Sequence, residues 1–163
     1  MAAMRVLMEN WMVESGEVPE PRLGETFDAA LELWCRDVRH AGSARDSIVF
    51  LDEVEDPWGH RGAMHEIAGE ICWREGDSWF LRVGDLPLAG NDLSMRREPN
   101  NPHQLRAYCP ANGERTLVVA SVAVAPEGLW PYWPKANASR RWIVGAVFGK
   151  TGGCYLFDAS VAG

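Results

Sequence analysis

The sequence predicts a mainly β fold, a small antiparallel β-barrel or sandwich of about six to eight strands with at most one or two short helices. Three observations predict it. Short apolar runs rich in Val, Ile, Trp and Phe recur along the 163 residues, with Gly, Pro, Asn and Asp between them. Two pairs of runs are joined by tight turns, Glu75-Gly76-Asp77 and Gly149-Lys150-Thr151-Gly152-Gly153, as in hairpins. A chain of this length fits one ordinary domain burying roughly 70% of its unfolded surface, so residues 1–163 are read as one domain.

The first element is the apolar run 5–13, followed by the loop GEVPEPRLGE, whose two prolines and two glycines break any regular structure. Residues 47–54 form a second run. Residues 66–73 and 79–83 read as two strands about the turn at Gly76. A run rich in Val and Ala spans 116–125, introduced by Ala111-Asn112-Gly113-Glu114 and closed by Pro126. Residues 141–148 and 154–158 form a last hairpin. The stretch 87–102, rich in Asn, Pro and Arg, is expected to be a long mobile loop.

Residues 26–40 fit two templates. Phe27, Ala30, Leu31, Trp34 and Val38 fall at helical spacing, with acidic residues at the front and Arg36, Arg39 and His40 at the back. Phe27, Ala29, Leu31, Leu33 and Cys35 also alternate, as in a half-buried strand. The surrounding β pattern favours the strand for the first part of this segment, and the remainder is left open.

The opening Met4-Arg5-Val6-Leu7-Met8-Glu9-Asn10-Trp11-Met12, the Gly24-Glu25-x-Phe27 lead-in and the region from Gly59-His60 to Ile71 resemble a family of small, uncharacterised proteins of high-GC bacteria. Those chains begin with a Met-Arg-Val strand bearing a Trp and are thought to be β-rich. The resemblance covers the first half of the chain. It implies a fold and no activity.

Charge is unevenly distributed. Residues 1–78 hold 17 acidic and 7 basic side chains, net −10, and residues 79–163 hold 6 and 9, net +3, which together give the chain's −7. A face this negative selects cationic partners and disfavours bare nucleic acid, whose binding is driven by phosphate neutralisation. Arg outnumbers Lys 14 to 2, read as coding bias. The first fifteen residues lack a signal-peptide apolar core and no run approaches a membrane span, so a cytoplasmic protein without a membrane partner is expected. The four cysteines stand singly and are expected to be reduced and mostly buried.

Three stretches carry candidate chemistry. Asp52, Glu53, Glu55 and Asp56 form an acidic run that suits a basic protein partner. With His60, His65, Glu66 and Glu70 they place eight oxygen or imidazole donors within nineteen residues. His60, His65 and Glu66 are therefore the residues to weigh for a divalent ion, yet the spacing matches no EF-hand. His65-Glu66 begins like a zincin helix but has Gly69 where that motif requires its second His. A solvated acidic loop accounts for the pattern, and no metal and no cofactor is expected. The Gly149-Lys150-Thr151 stretch lacks the glycine that a phosphate loop needs five positions before the Gly-Lys pair, position 144 being Val, so it reads as a hairpin turn.

Trp130, Tyr132 and Trp133 lie among prolines and are followed by Arg140 and Arg141, a platform able to stack bases, sugars or a partner side chain. A lid of aromatic rings over the end of a barrel is the competing structural account. The chain also lacks a Gly-x-Ser-x-Gly elbow, and its four His fall into no catalytic spacing. The expected function is a non-enzymatic binding protein that recognises a basic protein through its acidic half, in the manner of an inhibitor or immunity protein. The alternative is a barrel enzyme enclosing a small hydrophobic metabolite. A filled interior favours the first, an open cavity the second.

Overall fold

A computed structural model of the chain describes residues 3–51, 55–56, 59–92, 95–98, 101–126 and 138–163, with the backbone alone for 95–98 and 101–107. Twelve strands and one five-residue helix account for the regular structure among them. The centre is a closed five-stranded barrel. Strands β5 (Met64–Glu75), β6 (Ser78–Val83) and β7 (Leu86–Asn91) form a meander, and β10 (Arg115–Val124) returns to lie beside β5. That order is a Greek key. Strand β3 (Leu31–His40) closes the barrel, antiparallel to β10 and parallel to β7 at Glu32 and Ala89.

Local chemistry explains the meander. Gly76-Asp77 and Gly84-Asp85 are two-residue connections, with φ of 58° at Gly76 and 62° at Gly84. Such short hairpins require left-handed backbone, which glycine adopts without steric cost. Along β6, Trp79, Leu81 and Val83 face inward and join Leu86 and Leu88 of β7, Ile67 and Ile71 of β5, Val118, Ala120 and Val122 of β10, and Leu33 and Val38 of β3. The Trp79 ring lies where a side chain at Gly90 would otherwise sit. Burial of each large aliphatic side chain contributes roughly 1.5–3 kcal/mol, so this interior is the main stabilising element.

A second layer extends from the barrel through β10. Strand β1 (Met4–Glu9) runs parallel to β10 at Leu7 and Ala123, and β12 (Cys154–Val161), β11 (Arg140–Thr151) and β2 (Thr26–Ala29) follow in antiparallel order. Its inner face carries Met4, Val6, Met8, Phe27, Trp142, Val144 and Phe157, which belong to the same core cluster as the barrel interior. Helix α1 (Asn10–Glu14) follows β1 directly and buries only Met12. Strand β4 (Ser47–Phe50) pairs with the first half of β5, and β8 (Met95–Glu98) with β9 (Asn101–Ala107) forms a separate ribbon between β7 and β10.

The mainly β barrel agrees with the sequence reading, and four details differ. Ten strands form the main sheet and two the ribbon, more than the six to eight expected. The pairings β1–β10 and β3–β7 are parallel, so the sheet is mixed. Residues 87–102, expected as a loop, supply much of β7, all of β8 and the start of β9, because the Gly84-Asp85 turn starts a strand whose Pro87 is tolerated beside the hairpin. The run 5–13 is strand only to Glu9, and Trp11 on α1 is 44% exposed.

Residues 26–40 are strand throughout apart from Ala30. Their helical spacing has a physical cause. The β3–β10 register shifts between Val119 and Ala120, which are paired with Asp37 and Cys35, so Arg36 is the extra residue. Buried positions are Leu31 and Leu33 before the bulge and Val38 after it. One inserted residue inverts the alternation and mimics a helical period.

Candidate functional site

The acidic stretch around residue 55 folds into a small loop closed on itself. Glu55 and Arg61 form an isolated antiparallel bridge, and the backbone N–H of Asp56 donates to the carbonyl of His60 at 2.8 Å. The Asp56 carboxylate points inward with a fully buried side chain. It accepts the His60 backbone N–H at 2.9 Å, the Ser121 hydroxyl at 2.9 Å and the His60 ring through Nδ1 at 3.0 Å. Nε2 of His60 lies 3.2 Å from the Gly152 carbonyl, and its ring packs on Trp34 with centroids 5.2 Å apart. Both ring nitrogens thus face oxygen atoms.

Asp56 therefore ties the loop to Ser121 of β10, while His60 reaches the β11–β12 turn, and Asp56 is not a surface charge able to steer a partner. This corrects the sequence reading: a carboxylate with this many donors is retained inside because it is satisfied there. Glu55 is exposed and paired with Arg61 at 3.3 Å. Asp52 and Glu53 lie outside the described residues.

The metal candidates do not converge. His60 is engaged as above. His65 is buried with both nitrogens occupied: Nδ1 lies 2.7 Å from the Ala63 carbonyl, and Nε2 accepts the backbone N–H of Arg5 at 3.3 Å. Burial holds the imidazole below its ordinary pKa; the Arg5 charge adds to this, while the Ala63 bond and Asp158 oppose it. Glu66 sits on β5 opposite Val119 and Val49. Among the described residues no group of three His, Cys, Asp or Glu side chains gathers in a metal-holding arrangement.

Trp130, Tyr132 and Trp133 also lie outside the described residues. Arg141 forms two bonds to Asp28, at 3.0 and 3.2 Å, and Arg140 donates to the carbonyls of Ser139 and Asp85, each at 3.0 Å. The pairing with Arg141 holds Asp28 below the usual carboxylate range. All four cysteines are free, but Cys72 and Cys109 are exposed, contrary to the expectation that most are buried. Burial pushes the Cys35 thiol up to about 12 and that of Cys154 to about 11, with Glu9 and Asp56 adding to the latter.

Four carboxylates not singled out from the sequence lie between the end of β1 and the start of β2. Glu9 ends β1, Glu14 lies on α1, and Glu17 and Glu25 lie in the loop that leads to β2. None has a cationic partner among the described residues. Glu14 accepts only the Asn10 side chain, and Glu17 keeps one buried oxygen without a hydrogen bond. Their only sequence signal is the general excess of acid in the first half. The described residues include no helix long and apolar enough to cross a membrane. No protein-family model, no curated protein and no solved structure matches this chain.

Proposed function

We propose that this chain is a non-enzymatic binding protein that recognises a basic protein partner through its acidic first half, with Glu9, Glu14, Glu17, Glu25 and Glu55, together with Asp52 and Glu53, as the groups that attract it. The observation that carries this reading is the barrel interior. Eight strands make a barrel just wide enough for side chains to fill, and here only five close around Trp79, Leu81, Leu88, Ile67, Ile71 and Val118, each fully buried. An enzyme that encloses an apolar metabolite needs a chamber with a few polar groups. Those six side chains occupy the barrel interior, which supports the binding reading over the enclosing one.

Carboxylates that reach solvent steer an oppositely charged partner over a distance comparable to the screening length, about 8 Å at physiological salt. Their contribution falls chiefly on the association rate. The test is the association of the full chain with an immobilised Lys- and Arg-rich peptide, compared with a variant carrying Glu9→Gln, Glu14→Gln, Glu17→Gln and Glu25→Gln. The reading expects association to slow by roughly tenfold or more, with a flatter dependence on salt. Equal rates and equal salt dependence would refute it.

A further inference from the structure

The face of β1, β12 and β11 that points away from the core has a different character. Arg5 and Asp158 are register partners on β1 and β12, and Ala146 of β11 lies on the other side of Asp158. Arg5 Nε donates to Asp158 Oδ1 at 3.1 Å, and both side chains are about a quarter exposed, 27% and 26%. The guanidinium carbon lies 4.0 Å from the ring centroid of Phe148 and 4.6 Å from that of Phe50. Those rings are 47% and 36% exposed. Ile143, paired with Ser160, is a further exposed apolar side chain of this sheet.

The bond to Asp158 uses only Nε. Neither terminal nitrogen of Arg5 and not Oδ2 of Asp158 makes a hydrogen bond among the described residues. A donor fork and an acceptor thus stand side by side, held by two aromatic rings and facing outward. Around a two-fold axis such a pair is self-complementary: Arg5 of one copy meets Asp158 of the other, and the reverse contact forms at the same time. A lone carboxylate from a different protein would match the fork and leave Asp158 unmatched. The chain carries a net −7, so most surfaces of two copies repel, whereas this patch is neutral in itself. Arg and aromatic side chains are enriched at interface centres, and a guanidinium already held between rings loses little freedom on docking.

We propose that this face is the contact of a symmetric homodimer, with the occupant a second copy of this chain and reciprocal Arg5–Asp158 pairs at its centre. This goes beyond the binding function above and does not depend on it. The test is sedimentation equilibrium of the full chain from about 1 μM to about 1 mM. The proposal expects a monomer–dimer equilibrium in that range. Arg5→Asp and Asp158→Arg should each weaken it at least about tenfold, and an equimolar mixture of the two variant chains should dimerise again, because every contact then has opposite charges. Phe148→Ala leaves both charges in place and should weaken the dimer while keeping the melting transition. Circular dichroism identifies any variant that fails to fold, in which case Phe148→Ala and the unmodified chain decide. A chain monomeric to about 1 mM overturns the proposal, as does a dimer unaffected by folded variants at Arg5 and Phe148, or a mixture of folded charge variants that remains monomeric.

Discussion

The imidazole of His65 bonds Ala63 through Nδ1 and Arg5 through Nε2, and so links β5 to β1, two strands that lie along the same side of β10 without pairing to each other. Strand β10 is followed by β5 as far as Ser121 and by β1 at Ala123. Where the two diverge, the Arg5 backbone N–H has no strand to pair with, and the ring accepts it. Nδ1 carries the hydrogen that the Ala63 carbonyl accepts, which leaves Nε2 as the acceptor.

That arrangement sets a pH dependence. The folded state keeps His65 neutral because burial lowers its pKa, whereas the unfolded chain takes up a proton near 6.5. The stability it contributes is present above that value and is lost as pH falls from there through the lower folded pKa. Replacing His65 by Leu leaves the Arg5 N–H without its acceptor, at about 1–3 kcal/mol, while the Ala63 carbonyl keeps the backbone N–H of Val122 at 3.2 Å. Urea unfolding should show this gap between the native chain and His65→Leu at pH 8 and a narrower gap at pH 5. A gap that stays constant would contradict the account.

Neighbouring carboxylates in one loop should behave differently. Asp56→Ala removes an acceptor buried against three donors and should cost about 3 kcal/mol or more. Glu55→Gln affects only an exposed pair and should change stability by less than about 1 kcal/mol. Thermal unfolding of both variants distinguishes them, and equal losses would mean that Asp56 is not the internal tie described.

Gly90 is required by Trp79. A methyl group there meets the indole ring inside a filled barrel, and Gly90→Ala should destabilise by about 1–3 kcal/mol through overpacking. The Gly145→Ala variant, whose added methyl comes no nearer than 3.9 Å to Asp158, is the control, and thermal unfolding of the two compares them.

Thiol reactivity should divide the cysteines. In the native protein a thiol reagent should modify the exposed Cys72 and Cys109 first, while Cys35 and Cys154, with thiol pKa values pushed up to about 12 and 11, react slowly. All four should react after denaturation without a reductant, and mass spectrometry identifies each one.

The β character was legible because its turns are local: Gly76-Asp77 in the barrel and the glycines after Thr151 in the second layer mark hairpins within a few residues of the strands they join. The bulge at Arg36 was not legible, since one inserted residue changes the apparent period while leaving composition untouched. Nor were the ties of Asp56 to Ser121 or of Arg5 to Asp158, which join residues 65 and 153 positions apart. The acidic run at 52–56 reads as a uniform surface in sequence, yet Asp56 turns inward because the Asp56–His60 loop brings donors to it. Charge counts give the sign of a half-chain, and backbone geometry decides which carboxylates remain free.

Binding through the acidic exterior, as proposed above, and enclosure of an apolar ligand by the barrel give different responses in solution. The most direct test is a nuclear magnetic resonance titration of the isotope-labelled full chain, first with a Lys- and Arg-rich peptide and then with an apolar naphthalene sulfonate probe. The account predicts that the peptide shifts amides around Glu9, Glu14, Glu17, Glu25 and Glu55, that about 1 M salt, where screening acts within about 3 Å, abolishes those shifts, and that neither compound moves the amides of Trp79, Leu81 and Leu88. A peptide that shifts nothing, or an apolar probe that shifts the barrel interior, would contradict it.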